Sequence, residues 1–165
     1  LMRQGVRPLE LSPVDLGELL AERIASAQQR HRDTSIYFEA PAVHEGQAAI
    51  TVQADADRLA RLFDGLLENA VRHGDVGESV VVRVSKEEQA ALVEISNISP
   101  PITDPVVAVL FSPTEPATID DSRSGLGFGL YVGQTIAQAH GGTLTYTYDD
   151  PFVTMSVRLP MEPTD

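Results

Sequence analysis

The strongest hydrophobic pattern in the chain lies between residues 56 and 73. Apolar residues recur there at alternating spacings of three and four, which is the repeat of one face of an α-helix. Asp55 stands directly before this stretch and predicts its N-cap, because a carboxylate accepts the free amide hydrogens of a first turn. Gly74 and Gly77 predict its end. The apolar positions are Leu59, Leu62, Phe63, Leu66, Leu67, Ala70 and Val71.

Two weaker helical patterns flank this one. The first is predicted to start at Ser12 as the cap, with Pro13 in the first turn, and to end near Arg30. Its apolar positions are Leu16, Leu19, Leu20 and Ile24. The other is predicted from about Leu130 to His140, because two glycines follow it.

Short β-branched segments bounded by glycine, proline or acidic residues predict strands between these helices. Hairpin connections dominate, which favours an α/β fold: a two-layer sandwich with one mixed, mainly antiparallel sheet and helices on one face. Residues 97–129 show little periodicity and predict a long functional or disordered loop. The predicted strands are 7–11, 34–40, 48–53, 79–85, 90–96, 143–148 and 152–159.

Composition narrows the possible partners. The 165 residues suffice for one domain with a single core, and the formal net charge is −12. Without a run of Lys or Arg, we expect no nucleic acid partner and no direct membrane contact. A nucleotide remains possible, because backbone amides and a divalent cation can hold phosphates. The absence of cysteine excludes disulfides and a cysteine nucleophile but leaves the compartment open. Because the chain begins at Leu1 and has no apolar run of membrane-spanning length, we expect a fragment of a larger protein, with the cytoplasm as the default compartment.

One flank of the central helix carries candidate chemistry. Gly65, Asn69, Arg72 and His73 follow one another along it at spacings of four, three and one. An amide oxygen suits Mg²⁺, and Arg72 and His73 can reach phosphate oxygens. A glycine in a helix interior lowers stability by up to about 1 kcal/mol relative to alanine. Its presence at position 65 therefore indicates that the absent side chain leaves room for a ligand. The alternative is that Asn69 and His73 are solvated surface residues or satisfied polar groups of the core.

A second candidate is the alternation of Gly125, Gly127 and Gly129 directly before the third predicted helix. Glycines at this spacing let backbone amides turn toward a phosphate, and the N-terminus of the following helix adds partial positive charge. The same alternation is also found in ordinary flexible loops.

Together these segments resemble the sequence boxes of histidine kinases, in the right order and over nearly the whole chain. Residues 66–74, Leu-Leu-Glu-Asn-Ala-Val-Arg-His-Gly, resemble the N box, and residues 125–130 resemble the G2 box. Residues 95–102 stand where the G1 box belongs. The remaining matches are the F box at 110–113, a His-Gly-Gly at 140–142 and, at 8–16, the segment that follows the dimerisation helices.

This resemblance implies a left-handed β-α-β nucleotide fold of the Bergerat type, shared with gyrase-type ATPases, that binds ATP and Mg²⁺. A lid over the nucleotide would lie at about residues 112–124. By the same resemblance Asn69 binds Mg²⁺, Arg72 and His73 approach the phosphates, and Asn97 stands where the family usually has the aspartate that accepts a hydrogen bond from adenine. Cradling of the phosphates is implied for Gly125, Gly127 and Gly129.

The implied activity is that of the catalytic domain of a two-component sensor histidine kinase. Such a domain transfers the γ-phosphoryl group of ATP to a histidine on a dimerisation domain, from which a response regulator receives it. No histidine here has the phospho-acceptor context, so we expect no activity alone. We expect residues 1–12 to hold a linker from the dimerisation domain and the first strand, and residues 13–165 the catalytic domain. Gly65 stands where related hydrolases have a glutamate base, which favours a kinase.

Departures from the family pattern lie around the expected adenine end. Ser99 and Pro101 replace the two G1 glycines, and Phe152-Val153 replaces a usual Gly-Thr. A degenerate, non-catalytic interaction module is therefore one alternative. An anti-sigma-factor serine kinase with the same boxes is another, although the linker-like segment before Ser12 argues against it.

Overall fold

The computed structural model describes residues 8–39, 49–101 and 124–161. Within them the chain forms three helices and seven strands. In chain order these are β1 Ser12–Asp15, α1 Leu16–Arg30, β2 Ile36–Glu39, β3 Thr51–Ala54, α2 Ala56–His73, β4 Val80–Glu87, β5 Ala90–Ile98, α3 Ser124–Ala139, β6 Thr143–Asp149 and β7 Phe152–Pro160.

The main sheet has five strands in the order β2-β4-β5-β7-β6. Strand β2 runs parallel to β4, and every other neighbouring pair is antiparallel. The helices lie on one side of this sheet, so the predicted mixed two-layer α/β sandwich is confirmed. The sequence did not predict that β1 and β3 leave the main sheet and pair with each other as a separate antiparallel ribbon.

Helix α2 forms the centre of the core, as its periodicity predicted. Asp55 caps it, with its side chain accepting a hydrogen bond from the amide of Arg58, and Gly74 is its C-cap. Six of the seven predicted apolar positions are buried, and Val71 packs partly buried against them. Full burial of each leucine or phenylalanine stabilises the fold by about 1.5–3 kcal/mol, so this stripe fixes the helix on the sheet.

The predicted start of the chain was wrong. Residues 8–11 form no strand, and Ser12 and Pro13 belong to strand β1 instead of beginning a helix. Proline tolerates an edge strand because its fixed φ is compatible with extended backbone. The N-cap of α1 is Asp15, whose Oδ1 accepts a hydrogen bond from the amide of Glu18 at 3.1 Å. The predicted end at Arg30 is confirmed.

The third helix begins six residues earlier than predicted, at Ser124 instead of Leu130. The three alternating glycines therefore lie in its first turns and not in a preceding loop. Glycine disfavours helix by about 1 kcal/mol per residue, but such propensities are weak where a helix packs against a neighbour. At the other end of the predicted loop, Asn97 and Ile98 extend strand β5.

Helices α2 and α3 pack antiparallel. The amide of Asp55, at the start of α2, donates to Nε2 of His140, which directly follows α3, at 3.1 Å. In the middle of the pair, Gly133 of α3 faces Leu62 of α2. The first turns of α3 therefore lie at the same end of the helix pair as the last turns of α2, which carry Asn69.

Candidate functional site

The first element of the site is an amide oxygen without a partner. Asn69 Oδ1 is buried on α2 and makes no hydrogen bond within the described part of the chain. A buried acceptor in this state costs about 1–3 kcal/mol, so native proteins rarely keep one without a reason. A hard cation such as Mg²⁺ takes oxygen ligands of this kind, so the residue present fits the metal that the sequence implied.

The second element is the amide of Asn97 near the end of β5. Asn97 is 5% exposed and alternates with Ile95 on the core face of the strand. Its partner across the sheet is Val153, which offers no polar group. Within the part of the chain that the structure describes, no hydrogen bond to its side-chain amide is found, whereas the hydroxyl of the adjacent Ser96 pairs with that of Thr154 at 2.7 Å.

Gly74 joins these two elements. Its amide donates to the Ala70 carbonyl at 3.0 Å, and the next amide, of Asp75, donates to the Ile98 carbonyl at 2.7 Å. The turn after α2 is therefore tied to the end of β5. A Cβ at Gly74 would lie 2.8 Å from the Ala70 carbonyl oxygen and 3.4 Å from Asn97 Nδ2. Only glycine allows the helix end and the strand end to meet so closely.

His73 and Arg72 complete the C-terminal turn of α2. Partial burial lowers the pKa of His73, and the charge of the neighbouring Arg72 lowers that pKa further. His73 is therefore favoured as a neutral imidazole, with one nitrogen to donate and one to accept. Arg72 is exposed, and its guanidinium lies 3.4 Å from Glu68 Oε2 one turn earlier. With five N–H donors, it can keep this contact and still bind an anion.

Sequence analysis missed the polar cluster around Glu68. His31, just beyond α1, lies with Nε2 3.0 Å from Glu68 Oε1, and Arg30 approaches the same oxygen at 3.8 Å. The hydrogen bond with His31 lowers the pKa of Glu68 most, and the positive charges of His31, Arg30 and Arg72 add to the effect. The cluster holds the end of α1 against the helix that carries Asn69. A pair 37 residues apart leaves no periodic signal.

Sequence analysis also missed the polar network at the opposite end of α2. Asp55 accepts hydrogen bonds from the amides of Glu10 and Arg58, at 3.0 and 3.2 Å. The bond from Glu10 is the main reason that the pKa of Asp55 is lowered. Because the Asp55 amide can only donate, Nε2 of His140 must accept, and Nδ1 then carries the hydrogen that the Ile136 carbonyl accepts at 2.8 Å.

The predicted glycines lie at the start of α3, at the same end of the helix pair as Asn69 and His73. The amides of the residue before a helix and of its first three residues have no intrahelical acceptor, so the amide of Gly125 is available to a ligand. Gly127 and Gly129 lie beyond these positions. The F box, most of the predicted lid and the end of the G1 box at Ile102 lie outside the described residues.

The described residues contain neither a membrane-spanning helix nor a cluster of metal-binding side chains. In the described ranges, none of the helices has both the length and the apolar character needed to cross a bilayer. In the same ranges, no three His, Asp or Glu side chains converge on a common point where they could hold a metal ion.

Comparison with known proteins places these features in a family. Residues 54–163 match the family described as histidine kinase-, DNA gyrase B-, and HSP90-like ATPase. A bacteriophytochrome of Pseudomonas aeruginosa is 35% identical over 65% of this chain and 15% of its own length. The signal transduction histidine-protein kinase BaeS of Escherichia coli is 30% identical over 96% of this chain and 34% of its own length. The chain thus spans about a third or less of these relatives.

Solved structures show the same fold. The nucleotide-free catalytic domain of the histidine kinase ThkA is 21% identical, with 92% of this chain and 96% of that chain covered, at a TM-score of 0.78. ThkA in complex with the response regulator protein TrrA matches at a TM-score of 0.74 and 21% identity, over 94% of this chain and 43% of that chain. The likeness extends to both layers of the sandwich.

Proposed function

This chain belongs to the family of histidine kinase-, DNA gyrase B- and HSP90-like ATPases and is an ATP-binding catalytic domain of the two-component sensor kinase type. From that premise we propose that it binds Mg²⁺-ATP at the C-terminal end of α2 and transfers the γ-phosphoryl group to a histidine on a dimerisation domain. The observation that carries the proposal is the buried, unpartnered Oδ1 of Asn69.

Asn69 holds the metal. Mg²⁺ keeps several waters and is usually bound through few protein ligands together with substrate phosphates, which suits a site where one amide is the protein donor. When bound, the ion neutralises charge on the phosphate oxygens during phosphoryl transfer. The remaining lining residues position the triphosphate, and positioning with charge stabilisation supplies most of the catalysis in this reaction class.

Phosphate binding falls to residues on both helices. Arg72 and the neutral His73 donate from the last turn of α2, and the amide of Gly125 donates from the first turn of α3. The N-terminal dipole of α3 adds favourable charge there. Gly127 and Gly129 contribute by leaving space beside the triphosphate, because their own amides have intrahelical acceptors.

The acceptor histidine belongs to another domain, because none of the four histidines has a phospho-acceptor sequence context, including His44 outside the described residues. His31 is engaged with Glu68, and both ring nitrogens of His140 have partners. His73 is itself assigned to the phosphates. Among the described residues, a Cβ at Gly65 would meet no atom within 4 Å, so the position where related hydrolases carry a base is open space there. The attacking group is then an imidazole from outside, which requires no such base.

The proposed reaction requires a dimerisation domain before this one and a response regulator after the transfer. We assign residues 1–12 to the linker from the dimerisation domain and the first strand, and residues 13–165 to the catalytic domain. The phosphorylated histidine would serve a response regulator, in keeping with the complex of the related ThkA with TrrA. The cytoplasm is the compartment that supplies ATP to such a reaction.

A titration tests the binding step. A non-hydrolysable ATP analogue with Mg²⁺ is added, and heat and thermal stability are followed. At 100-fold saturation the ligand stabilises the fold by about 2.7 kcal/mol. Asn69→Ala is expected to lose the Mg²⁺-dependent part of the affinity, whereas Arg61→Ala, an exposed position earlier on α2, keeps it. Absence of binding at millimolar nucleotide would leave the degenerate interaction module as the better explanation.

A second experiment tests the transfer step. The domain is mixed with a purified dimerisation domain and labelled ATP, and the stability of the phosphorylated product is measured. We expect an acid-labile, base-stable phosphohistidine. An acid-stable phosphoserine on a protein substrate would instead support the anti-sigma-factor serine kinase.

A further inference from the structure

We propose that Asn97 makes the base pocket of this domain permissive, so that it accepts purine nucleotides with either an amino or an oxo group at position 6, GTP as well as ATP. The inference rests on the proposed function, because it concerns the base end of the same nucleotide site. It concerns the choice of substrate and leaves the phosphate end unchanged.

The first observation is the state of the side chain. Asn97 is more than nine-tenths buried and lies on the core face of β5, in a position that the strand's alternation would give to an apolar residue. Among the described residues, none hydrogen-bonds its amide, and its cross-strand partner Val153 cannot. A buried amide with this environment has its hydrogen-bonding capacity left for a ligand.

The second observation is a contrast with two other amides of the chain. Gln28 donates to the carbonyls of His31 and Thr34 and accepts from the amide of Ile36. The second of these side chains, Gln134, donates to the carbonyl of Leu144 and accepts from the backbone amide of Leu144. In both, backbone groups fix which atom is oxygen and which is nitrogen. No such contact from the described chain fixes the orientation of Asn97.

An unfixed amide can present either of its atoms to the base. Its oxygen accepts a hydrogen bond from the 6-amino group of adenine, and after a 180° turn its nitrogen donates to the 6-oxo group of guanine. The two atoms are similar in size, so the turn needs no repacking against Gly74. An ionised aspartate in the same place only accepts, and it would repel the 6-oxo group.

The test compares binding of non-hydrolysable ATP and GTP analogues, with Mg²⁺, by titration calorimetry at about pH 8. The wild-type domain is expected to bind both with affinities within about tenfold of each other, a difference of about 1.4 kcal/mol. In Asn97→Asp, affinity for the GTP analogue is expected to fall at least about tenfold relative to the ATP analogue. The alkaline pH matters because burial raises a carboxyl pKa, and a protonated aspartate would donate as asparagine does.

The outcomes separate this inference from the proposed function. Binding of the ATP analogue with GTP excluded by more than about a hundredfold would overturn the inference alone, and absence of both would overturn the proposed function as well. An unchanged preference in a folded Asn97→Asp domain would also refute the role of Asn97. If that variant does not fold, inosine triphosphate replaces it as the probe, because it has the 6-oxo group without the 2-amino group. Wild-type binding close to that of ATP supports the inference, and rejection refutes it.

Discussion

Polar groups are hydrogen-bonded at one end of helix α2 and unpaired at the other. At the N-terminal end, both carboxylate oxygens of Asp55 accept backbone hydrogen bonds, and its amide donates to His140. At the C-terminal end, neither the buried amide oxygen of Asn69 nor the amide of the largely buried Asn97 has a partner among the described residues.

Under the proposed function, this difference separates a structural end from a ligand end. Satisfied polar groups hold α2, α3 and the segment at Glu10 together and contribute to the stability of the fold. Unsatisfied groups cost free energy in the empty protein, and they are retained where a ligand completes them. Substitutions at the two ends should therefore have opposite effects on stability and on nucleotide binding.

The largest effect is expected for Asn69→Leu, a change of similar size. It removes an unpartnered buried oxygen, so we expect the free energy of unfolding to rise by about 1 kcal/mol while Mg²⁺-dependent nucleotide binding is lost. Urea unfolding and calorimetric titration measure the two quantities. A destabilised variant would mean that the oxygen is satisfied in solution, and the distinction between the two ends of α2 would then fail.

The reverse pattern is expected for Asp55→Ala. This change leaves the amides of Glu10 and Arg58 without their acceptor, so the melting temperature should fall by several degrees while the folded variant still binds nucleotide. Asp55→Asn keeps an acceptor at the cap, so its melting temperature should fall less than that of Asp55→Ala. A melting temperature equal to that of the wild type in Asp55→Ala would show that this network adds no stability.

A smaller effect is expected for Gly65→Ala, midway between the two ends. Because the added Cβ meets no atom of the described residues within 4 Å, the free energy of unfolding should rise by about 0.5–1 kcal/mol through helix propensity alone. Gly133→Ala is the matched comparison, since the Cβ there meets two leucine side chains, and it should gain less or lose stability. Destabilisation by Gly65→Ala would indicate that the open space beside this residue is filled in solution.

The smallest effect is expected for Glu68→Gln. The hydrogen bond with His31 lowers the pKa of Glu68 below its ordinary value of 4.5, so the contribution of this carboxylate to stability is complete above that value. The contribution disappears as the pH falls through the lowered folded-state pKa. The group is partly solvated, so the loss near neutral pH should be at most about 1 kcal/mol. Urea midpoints measured from neutral to acid pH should converge for the two proteins, and parallel curves would contradict this.

Sequence periodicity predicted the elements that bury one clear face. Helix α2 follows its apolar repeat from the cap at Asp55 to its last turn, and the last two strands form the predicted hairpin. The predictions were wrong where a local sequence is compatible with two secondary structures. Ser12-Pro13 is compatible with a helix start and with an edge strand, and the pairing of β1 with β3 decided between them. The glycines before Leu130 suggested a loop, but packing of α3 on α2 prevailed.

The candidate site was predictable by residue type but not by environment. Asn69 was proposed as a metal ligand from its place on the helix flank, yet the burial of its oxygen depends on the packed structure. The partner of Asn97 across the sheet is Val153, far along the chain on β7. The contact between Glu68 and His31 likewise joins two helices. Such long-range pairings decide which polar groups remain free, and no local pattern encodes them.

The contact of Gly133 with α2 has a mechanical consequence. A Cβ there would lie 2.9 Å from one methyl carbon of Leu62 and 3.2 Å from one of Leu144, so the distance between the two helices is set by the lack of a single methyl group. An α-helix is stiff along its length, so a displacement at its middle is passed on to its first turn. A larger side chain at residue 133 would therefore shift the first turn of α3 relative to the last turns of α2, where we propose that the triphosphate binds.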